Sequence, residues 1–198
     1  MKLNALEFAL MNNPVRAMSQ RYLETPLLIG PPGVLSGKQV LEVGCGRGVG
    51  IEILLARGAA SVAGFDLDPE MVVIAQRRLA KYGSRARVFV GDAAVIAAPD
   101  ASFDAVVDYG IIHHIPNWPQ ALQEIARVLR PSGDFYFEDL FKGFISARPI
   151  RALFDHPQAT QFTSQEFRAG LEATGLYVKK WQELGPWGIM GRARKGRF

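Results

Sequence analysis

The sequence predicts an α/β protein with one doubly wound, mostly parallel sheet, and three observations carry this prediction. Short apolar runs alternate with amphipathic segments that have helical spacing. The first apolar run, at residues 39–43, breaks into glycines at alternate positions from Gly44 to Gly50. Acidic residues stand near the ends of successive apolar runs. Strands and helices that alternate in this way form right-handed βαβ units, which place helices on both faces of a parallel sheet.

The predicted elements follow in order along the chain. Apolar runs predict strands at residues 39–43, 61–65, 86–90 and 103–109, and a closing pair at 176–184 and 187–193. Helical spacing predicts one or two helices over 3–24 with a break at Pro14, and a Pro/Gly-rich linker follows at 30–37. Three further helices begin at residues whose side chains can cap the first turn, namely Asp68, Asn117 and Thr163.

Composition and charge are those of an ordinary globular enzyme. The chain has 198 residues, of which 48% are hydrophobic and 21% charged, and this length suits one domain with one sizeable core. The net charge of +4 includes a basic stretch at residues 191–197. A basic tail is able to hold nucleic acid, but it is more typical of a solvated terminus, so we expect no nucleic-acid partner.

Cysteine usage and hydropathy exclude several other classes. The one cysteine, Cys45, allows neither an internal disulfide nor a cysteine-built metal site, and it favours a cytoplasmic location. No apolar run approaches the roughly 18 residues that a membrane span needs. Glu7 interrupts the apolar N-terminal stretch, so we expect no signal peptide. We expect no metal ion either, because adjacent histidines diverge from one another.

The glycine-rich turn after the first strand predicts a nucleoside pocket. Glycine permits the tight turn and lets a ligand touch the backbone. A dinucleotide site requires G-x-G-x-x-G, but Val49 stands at the third position counted from Gly44, and the frames that start at Gly46 and Gly48 fail as well. The acid Glu42 precedes the glycines, where it is able to meet a cofactor with a cationic amino-acid end.

Residues 42–48, E-x-G-x-G-x-G, resemble motif I of the class I S-adenosylmethionine (SAM)-dependent methyltransferases. Asp66 then ends the second apolar run, Gly91-Asp92-Ala93 follows the third, and Gly-Ile-Ile-His-His-Ile follows the fourth. The overall pattern of these motifs, including the His-His segment, is similar to that of the ubiquinone/menaquinone-biosynthesis-like group of small-molecule enzymes. The resemblance covers residues 36–140 closely and implies a single Rossmann-like sheet of seven strands. The seventh strand, at 187–193, is expected to run antiparallel beside the fifth.

The resemblance implies a role for each residue at the strand ends, with SAM as the cofactor. Glu42 is expected at the methionine ammonium, Gly44, Cys45 and Gly46 in the turn around the cofactor, Asp66 at the ribose hydroxyls, Leu67 on one adenine face, Asp92 at the adenine amino group, Ala93 at the adenine ring through its backbone N–H, and Tyr109 in the wall of the methionine end. The plainer alternatives are turn-forming acids and ordinary packing. Cys45 has no evident base nearby, which favours a small packing residue over a nucleophile.

Two adjacent histidines are the candidate catalytic residues. His113 and His114 follow the fourth strand, where the acceptor pocket of the family begins. An imidazole has its pKa near neutrality, so either ring is able to take a proton from a hydroxyl acceptor. The alternative is that both histidines brace the helix that follows. A thiolate or stabilised carbanion acceptor would need no base.

We expect one methyltransferase domain over residues 1–198, made of an N-terminal helical lid (1–35), a SAM-binding core (36–140), an acceptor-side insertion (141–163) and a last helix with a strand pair (164–198). The expected reaction is in-line transfer of a methyl group from SAM to a small-molecule acceptor, which yields S-adenosylhomocysteine. Two alternatives stay open: an RNA or protein methyltransferase, suggested by the basic tail, and a non-catalytic SAM-binding protein. A NAD-dependent oxidoreductase is disfavoured by the glycine spacing.

Overall fold

The structure is a computed structural model that describes residues 13–141 and 162–197. Its strands are β1 (Gln39–Val43), β2 (Ser61–Asp66), β3 (Ala86–Val90), β4 (Phe103–Tyr109), β5 (Leu129–Leu140), β6 (Leu176–Glu183) and β7 (Gly188–Lys195). They form one sheet in the order β3-β2-β1-β4-β5-β7-β6. Strands β1 to β5 are parallel to one another, whereas β7 is antiparallel to both β5 and β6. The predicted fold is therefore confirmed, including the antiparallel strand beside β5.

The helices are α1 (Pro14–Ser19), α2 (Thr25–Ile29), α3 (Val49–Ala56), α4 (Pro69–Leu79), α5 (Trp118–Val128) and α6 (Ser164–Ala173). A π turn, Gln20–Glu24, joins α1 to α2, and 3-10 turns lie at Ala80–Arg85 and Ile112–His114. In the part of the chain that the structure describes, no helix has the length and apolarity that would carry it across a bilayer.

Helix starts agree with the capping residues in two of the three predicted cases. Asp68 accepts a hydrogen bond from the backbone N–H of Glu70, and Thr163 forms the reciprocal capping box with Glu166. Asn117 stands at the start of α5, but its side chain makes no capping hydrogen bond. The predicted cap at Asn117 is therefore wrong in its chemistry, although the helix begins where expected.

Two predicted boundaries differ from the structure. The N-terminal helical segment was expected to end at residue 24, yet α2 carries it to Ile29. The helix α5 ends at Val128, and β5 starts at once, whereas the sequence pattern places the helix end near residue 133. Pro131 lacks the N–H that a helix would use there. The predictions for residues 3–12 and most of the predicted insertion (142–161) lie outside the described residues.

Apolar layers cover both faces of the sheet. One layer joins alternate strand residues to α5 and α6 and includes Leu41, Val106, Phe135, Leu122 and Phe167. The other joins the intervening strand residues to α2, α3 and α4 and includes Val40, Val107, Leu28, Leu54 and Val72. Strand side chains point alternately to opposite faces, so each strand contributes to both layers. This is the packing of a doubly wound sheet.

Strand order sets the position of the site. The chain runs from β1 outward to β3 on one side and then continues from β4 on the other side of β1. At the carboxyl end of β1, Val43 is level with Phe65 of β2 and Asp108 of β4. Ligands of such sheets bind in the crevice at this reversal of strand order. The turns that follow β1, β2, β3 and β4 therefore meet at one edge.

Candidate functional site

A cavity of about 700 Å³ lies at the carboxyl ends of β1 to β4. It is lined by all the residues predicted to bind a cofactor: Glu42, Gly44, Cys45, Gly46, Asp66, Leu67, Asp92, Ala93 and Tyr109. These residues come from four turns that are far apart in the sequence. The structure thus brings together the whole predicted set, while their individual roles stay predictions.

Glycine backbone geometry shapes the floor of the cavity. Gly44, Gly46 and Gly48 have φ values of +61°, +48° and +77°, which lie in the left-handed region that favours glycine. A side chain at Gly44 would also collide with Ile111, because an added Cβ would lie 2.6 Å from its Cγ1. The turn is fastened to β2, since the backbone N–H of Cys45 donates to the Phe65 carbonyl at 2.9 Å.

Glu42 places a buried carboxyl group at this floor. Its side chain is 2% exposed, and Oε2 has no hydrogen-bond partner among the described residues. Burial, with a further contribution from Asp66, raises the pKa of Glu42 well above its usual value. A backbone hydrogen bond from Ile51 lowers the pKa in part, but a buried carboxyl oxygen without a partner is costly. A cationic ligand in the cavity would stabilise the ionised form and supply the missing donor.

Asp66 holds the glycine turn in place from the end of β2. Its Oδ2 accepts the backbone N–H of Gly46 at 2.8 Å, and its Oδ1 accepts the backbone N–H of Asp68 at 2.9 Å. Each carboxylate oxygen has a second lone pair, so both remain able to accept a hydroxyl group of a ligand. Asp66 therefore combines a structural task with a position on the cavity wall.

The residues expected around an adenine lie on the outer side of the cavity. Asp92 is exposed and forms a turn in which Oδ1 accepts the backbone N–H of Ala94 at 2.8 Å. Ala93 is buried, whereas the side chain of Leu67 is 56% exposed. An exposed leucine beside a cavity is available to cover a flat ring. The turn-forming and ligand-binding interpretations of Asp92 are compatible in this geometry.

Tyr109 connects the cavity to the N-terminal helical segment. The Tyr109 hydroxyl lies 2.9 Å from Oγ1 of Thr25, and that Oγ1 donates to the Gln20 carbonyl at 2.7 Å. The tyrosine O–H is therefore the donor to Thr25. Burial raises the pKa of Tyr109 well above its usual value, so the phenol is neutral. Because Arg16 and Gln20 also line the cavity, this segment forms part of its wall.

The two histidines occupy different positions. His114 lines the cavity, whereas His113 is 2% exposed and is not among the described residues that line it. The Nδ1 atom of His113 bonds to Oδ1 of Asp139, and its backbone N–H donates to Oδ2 of the same carboxylate at 3.2 Å. The two imidazole rings are 4.0 Å apart between centroids. Of the predicted pair, His114 is the residue that lines the cavity.

A group of acids lies behind the same end of the cavity. Arg16 forms ion pairs with Glu24 and, at 3.7 Å, with Glu138. Burial, together with the neighbouring Glu24, raises the pKa of Glu138 to about 8. Burial and the charge of Asp139 raise the pKa of Asp108 well above its usual value. At neutral pH Glu138 is thus mainly protonated, which limits repulsion in this region.

Two expectations from the sequence concern Cys45, as a packing residue and not a nucleophile, and the absence of a metal ion. Burial, with contributions from Glu42 and Asp66, raises the pKa of the Cys45 thiol well above its usual value, so it is not a thiolate at neutral pH. This fits the packing role expected for Cys45. In residues 13–141 and 162–197 no group of three His, Cys, Asp or Glu side chains is placed to hold a metal ion.

Sequence reasoning missed several residues of the site. Gly50 is one of them. It belongs to the site because a side chain at this position would collide with Glu42: an added Cβ would lie 2.1 Å from Oε1. Arg16 and Gln20 on the cavity wall, and Asp139 behind His113, are others. Gly50 continues the alternating glycines, and this was a signal for its role. Arg16, Gln20 and Asp139 belong to no short motif, so contacts over long sequence distances were needed to find them.

Comparison with known proteins agrees with this geometry. Residues 40–133 match the model of a family described as a methyltransferase domain. The chain is 37% identical over 138 residues to the phthiotriol/phenolphthiotriol dimycocerosates methyltransferase of Mycobacterium leprae, covering 69% of this chain and 48% of that protein. It is 38% identical over 125 residues to the fatty-acid O-methyltransferase of Mycolicibacterium smegmatis, covering 62% of this chain and 44% of that protein.

The chain spans about half the length of these curated relatives. Among solved structures, an S-adenosylmethionine-dependent methyltransferase from Mesorhizobium loti superposes with a TM-score of 0.70 at 17% identity, over 83% of this chain and 93% of that one. At this identity the likeness shows the fold. The matched domain and the two curated relatives supply the family: the chain belongs to the class I SAM-dependent methyltransferases.

Proposed function

We propose that this protein transfers a methyl group from SAM to an oxygen atom of an apolar small molecule and yields S-adenosylhomocysteine. One observation carries the proposal: four separate turns converge on a cavity whose floor holds the buried, unpartnered Oε2 of Glu42. A volume of about 700 Å³ lies within the range of small-molecule sites. When bound, SAM supplies an electrophilic methyl group on a sulfonium.

The cofactor half of the cavity has a residue for each part of SAM. We assign Glu42 to the methionine ammonium and Asp66 to the ribose hydroxyls. Asp92 and the backbone N–H of Ala93 would bind the polar edge of adenine, and Leu67 would cover its face. Gly44, Cys45 and Gly46 leave the backbone accessible, and Tyr109 closes the methionine end. The buried acid at Glu42 is the feature that fits a cation best, because SAM carries an ammonium as well as a sulfonium.

The acceptor half has one ring placed for proton transfer. For a hydroxyl acceptor, the imidazole of His114 would take the proton that the oxygen loses as it gains the methyl group. The positive charge of the sulfonium is thereby replaced by that of the imidazolium. A carboxylate acceptor has already lost its proton and needs no base. His113, the other histidine predicted to be catalytic, would act only through His114, because it lies behind that ring and does not line the cavity.

An apolar acceptor is supported by the wall around His114. Ile111, Ile115 and Pro116, which stand near His114 in the sequence, line the same cavity, and so does Ala17 of α1. The names of the two curated relatives, a fatty-acid O-methyltransferase and a dimycocerosates methyltransferase, agree with an acceptor that carries a hydrocarbon chain. The basic stretch that suggested RNA lies largely in β7, where Arg194 bonds to Asp134, so it gives little support to RNA as the acceptor. On the single cysteine we also propose a cytoplasmic location.

Calorimetry with SAM, S-adenosylhomocysteine and NAD tests the cofactor assignment. We expect binding of the first two and none of NAD; tight NAD binding without SAM binding would refute the proposal. Methyl-labelled SAM is then incubated with a long-chain fatty acid, a long-chain alcohol and bulk RNA. Label in either lipid supports an apolar oxygen acceptor. Label in RNA, or SAM binding with no labelled product from these or from a fractionated lipid extract, would favour the two alternatives.

A further inference from the structure

Asp139 is a buried acid near the carboxyl end of β5, and both of its oxygens are occupied by N–H donors. Its side chain is fully buried. Oδ1 bonds to Nδ1 of His113 and accepts the backbone N–H of Leu140 at 2.7 Å, and Oδ2 accepts the backbone N–H of His113 at 3.2 Å. One carboxyl group therefore holds both the ring and the backbone of His113.

This arrangement determines which nitrogen of His113 carries the proton. A carboxylate accepts hydrogen bonds and has none to donate. The Nδ1 atom that faces it must therefore carry a hydrogen, which leaves the lone pair of the neutral ring on Nε2. A carboxylate in contact with one ring nitrogen is a general way to fix both the tautomer and the orientation of an imidazole.

The fixed ring of His113 supports the ring that lines the cavity. The centroids of His113 and His114 are 4.0 Å apart, with 38° between the ring planes. Both residues belong to the 3-10 turn Ile112–His114, in which Ile112 is completely buried. The backbone bond to Asp139 ties this turn to β5. The order from the interior to the cavity is thus Asp139, His113, His114.

Packing alone does not explain an aspartate here. Two further acids lie close to Asp139: Glu138 precedes it on β5, and Asp108 is on the neighbouring strand β4, level with Phe137. Burial and the charge of Asp139 both raise the pKa of these two acids. A third carboxyl group in such a place is unfavourable unless it has strong partners. An asparagine of similar shape would also accept the backbone N–H of His113, but it would not force a hydrogen onto Nδ1. The feature specific to aspartate is its effect on the imidazole.

We propose that Asp139 is a positioning residue: it fixes the tautomer and orientation of His113, and through that ring holds His114 at the cavity wall as the proton acceptor for a hydroxyl group. The role in proton transfer rests on the proposed function, whereas the tautomer and orientation of His113 depend neither on SAM nor on the acceptor. It assigns a functional reason to an acid that no short motif of the sequence singled out.

The test is a long-range 1H–15N spectrum of the full chain labelled at histidine nitrogens, which reports the tautomer of each imidazole. The chain has three histidines, so single substitutions assign every signal. We expect neutral His113 to carry its proton on Nδ1. In Asp139→Asn the negative charge is lost, and the amide NH2 cannot replace either oxygen without facing a backbone N–H, that of Leu140 or that of His113. We therefore expect the constraint on the His113 ring to weaken, so that the signals of His113 and of His114 shift.

Asp134→Asn is the matched control. Asp134 is a buried aspartate on the same strand, and it bonds to Arg194 rather than to a histidine. We expect this variant to leave both histidine spectra unchanged. A wild-type His113 with its proton on Nε2 would overturn the proposal, and so would an Asp139→Asn spectrum with unchanged His113 or His114 signals.

Two further measurements keep the result interpretable. If Asp139→Asn does not fold, as judged by circular dichroism, the wild-type tautomer and an Asp139→Glu variant decide, because the longer carboxylate is expected to restore Nδ1–H. SAM affinity is measured in parallel and is expected to change less than twofold in Asp139→Asn. Absence of SAM binding in the wild type would refute the proposed function while leaving the tautomer result valid.

Discussion

The two halves of the cavity are built in different ways. The cofactor half consists of the turns after β1, β2 and β3, which are joined by backbone contacts such as Cys45 N–H to Phe65 and Gly91 N–H to Asp66. The proposed acceptor half is lined by α1, the π turn and residues 111–116, and the end of β5 lies behind it. This half is joined by side chains over long sequence distances, as between His113 and Asp139. One half therefore depends on backbone shape, and the other on buried polar groups.

The largest effect is expected where backbone shape is most restricted. Gly44→Ala places a Cβ on a left-handed backbone and 2.6 Å from Ile111. Strain and overpacking together are expected to lower the free energy of unfolding by about 4 kcal/mol, as measured by urea denaturation. SAM binding should be lost with it.

Gly46→Ala is the matched control for this substitution. Gly46 has φ +48°, but no atom lies within 4 Å of an added Cβ. It should show the cost of backbone strain alone, about 1 kcal/mol. Equal losses in the two alanine variants would mean that the contact with Ile111 does not limit the turn.

The acceptor half is expected to respond to pH. The pKa of Glu138 is raised to about 8, so the folded state binds a proton that the unfolded state releases at a lower pH. Stability from this group is present below the unfolded pKa and is lost as pH rises to about 8. In Glu138→Gln the decrease of the free energy of unfolding with rising pH should be smaller by about 3 kcal/mol. The measurement is the free energy of unfolding at pH 5 and pH 9.

Glu172→Gln, at an exposed acid of α6, is the control for the pH experiment and should keep the wild-type slope. If Glu138→Gln also keeps that slope, Glu138 is ionised in the folded protein. The acceptor half would then be less dependent on buried protonation than the structure indicates.

The cofactor half also depends on one side chain, that of Asp66. Asp66→Ala removes the proposed ribose contacts and the bond to the Gly46 N–H. We expect SAM binding to weaken by about 2 kcal/mol in calorimetry. Asp104→Ala, at the opposite end of the sheet, where the carboxylate bonds Arg130, should leave the affinity unchanged. An unchanged titration curve for Asp66→Ala would refute the ribose assignment.

The smallest effect is expected at the contact between the two halves. Tyr109→Phe removes the hydrogen bond to Thr25 and keeps the ring. Loss of one buried bond should cost about 1 kcal/mol of unfolding free energy. Faster hydrogen exchange should appear in residues 14–29 while β1 and β4 stay protected. Uniform loss of protection would show that the N-terminal segment is not a separate unit.

The difference between the halves explains how far the sequence alone could lead. Glycines and strand-end acids report local backbone geometry, so Gly44 and Asp66 were predicted in the turns that line the cavity. The antiparallel β7 was expected from the resemblance to the family and is confirmed. The contact of Asp139 with His113 and the position of Arg16 on the cavity wall depend on which distant elements pack together. Spacing in the sequence does not contain that information. The missing cap at Asn117 shows the same limit at the scale of one turn.

The π turn Gln20–Glu24 has a consequence for how the N-terminal segment varies. Its hydrogen bond runs from the Thr25 N–H to the Gln20 carbonyl, so this turn contains one residue more than an α-helical turn. Removing that residue would rotate everything upstream by about 100° around the helix axis. Arg16 would then leave the cavity wall while Thr25 kept its place on Tyr109. A single-residue deletion here would thus change which side chains of the N-terminal segment line the acceptor half of the cavity, without altering the sheet.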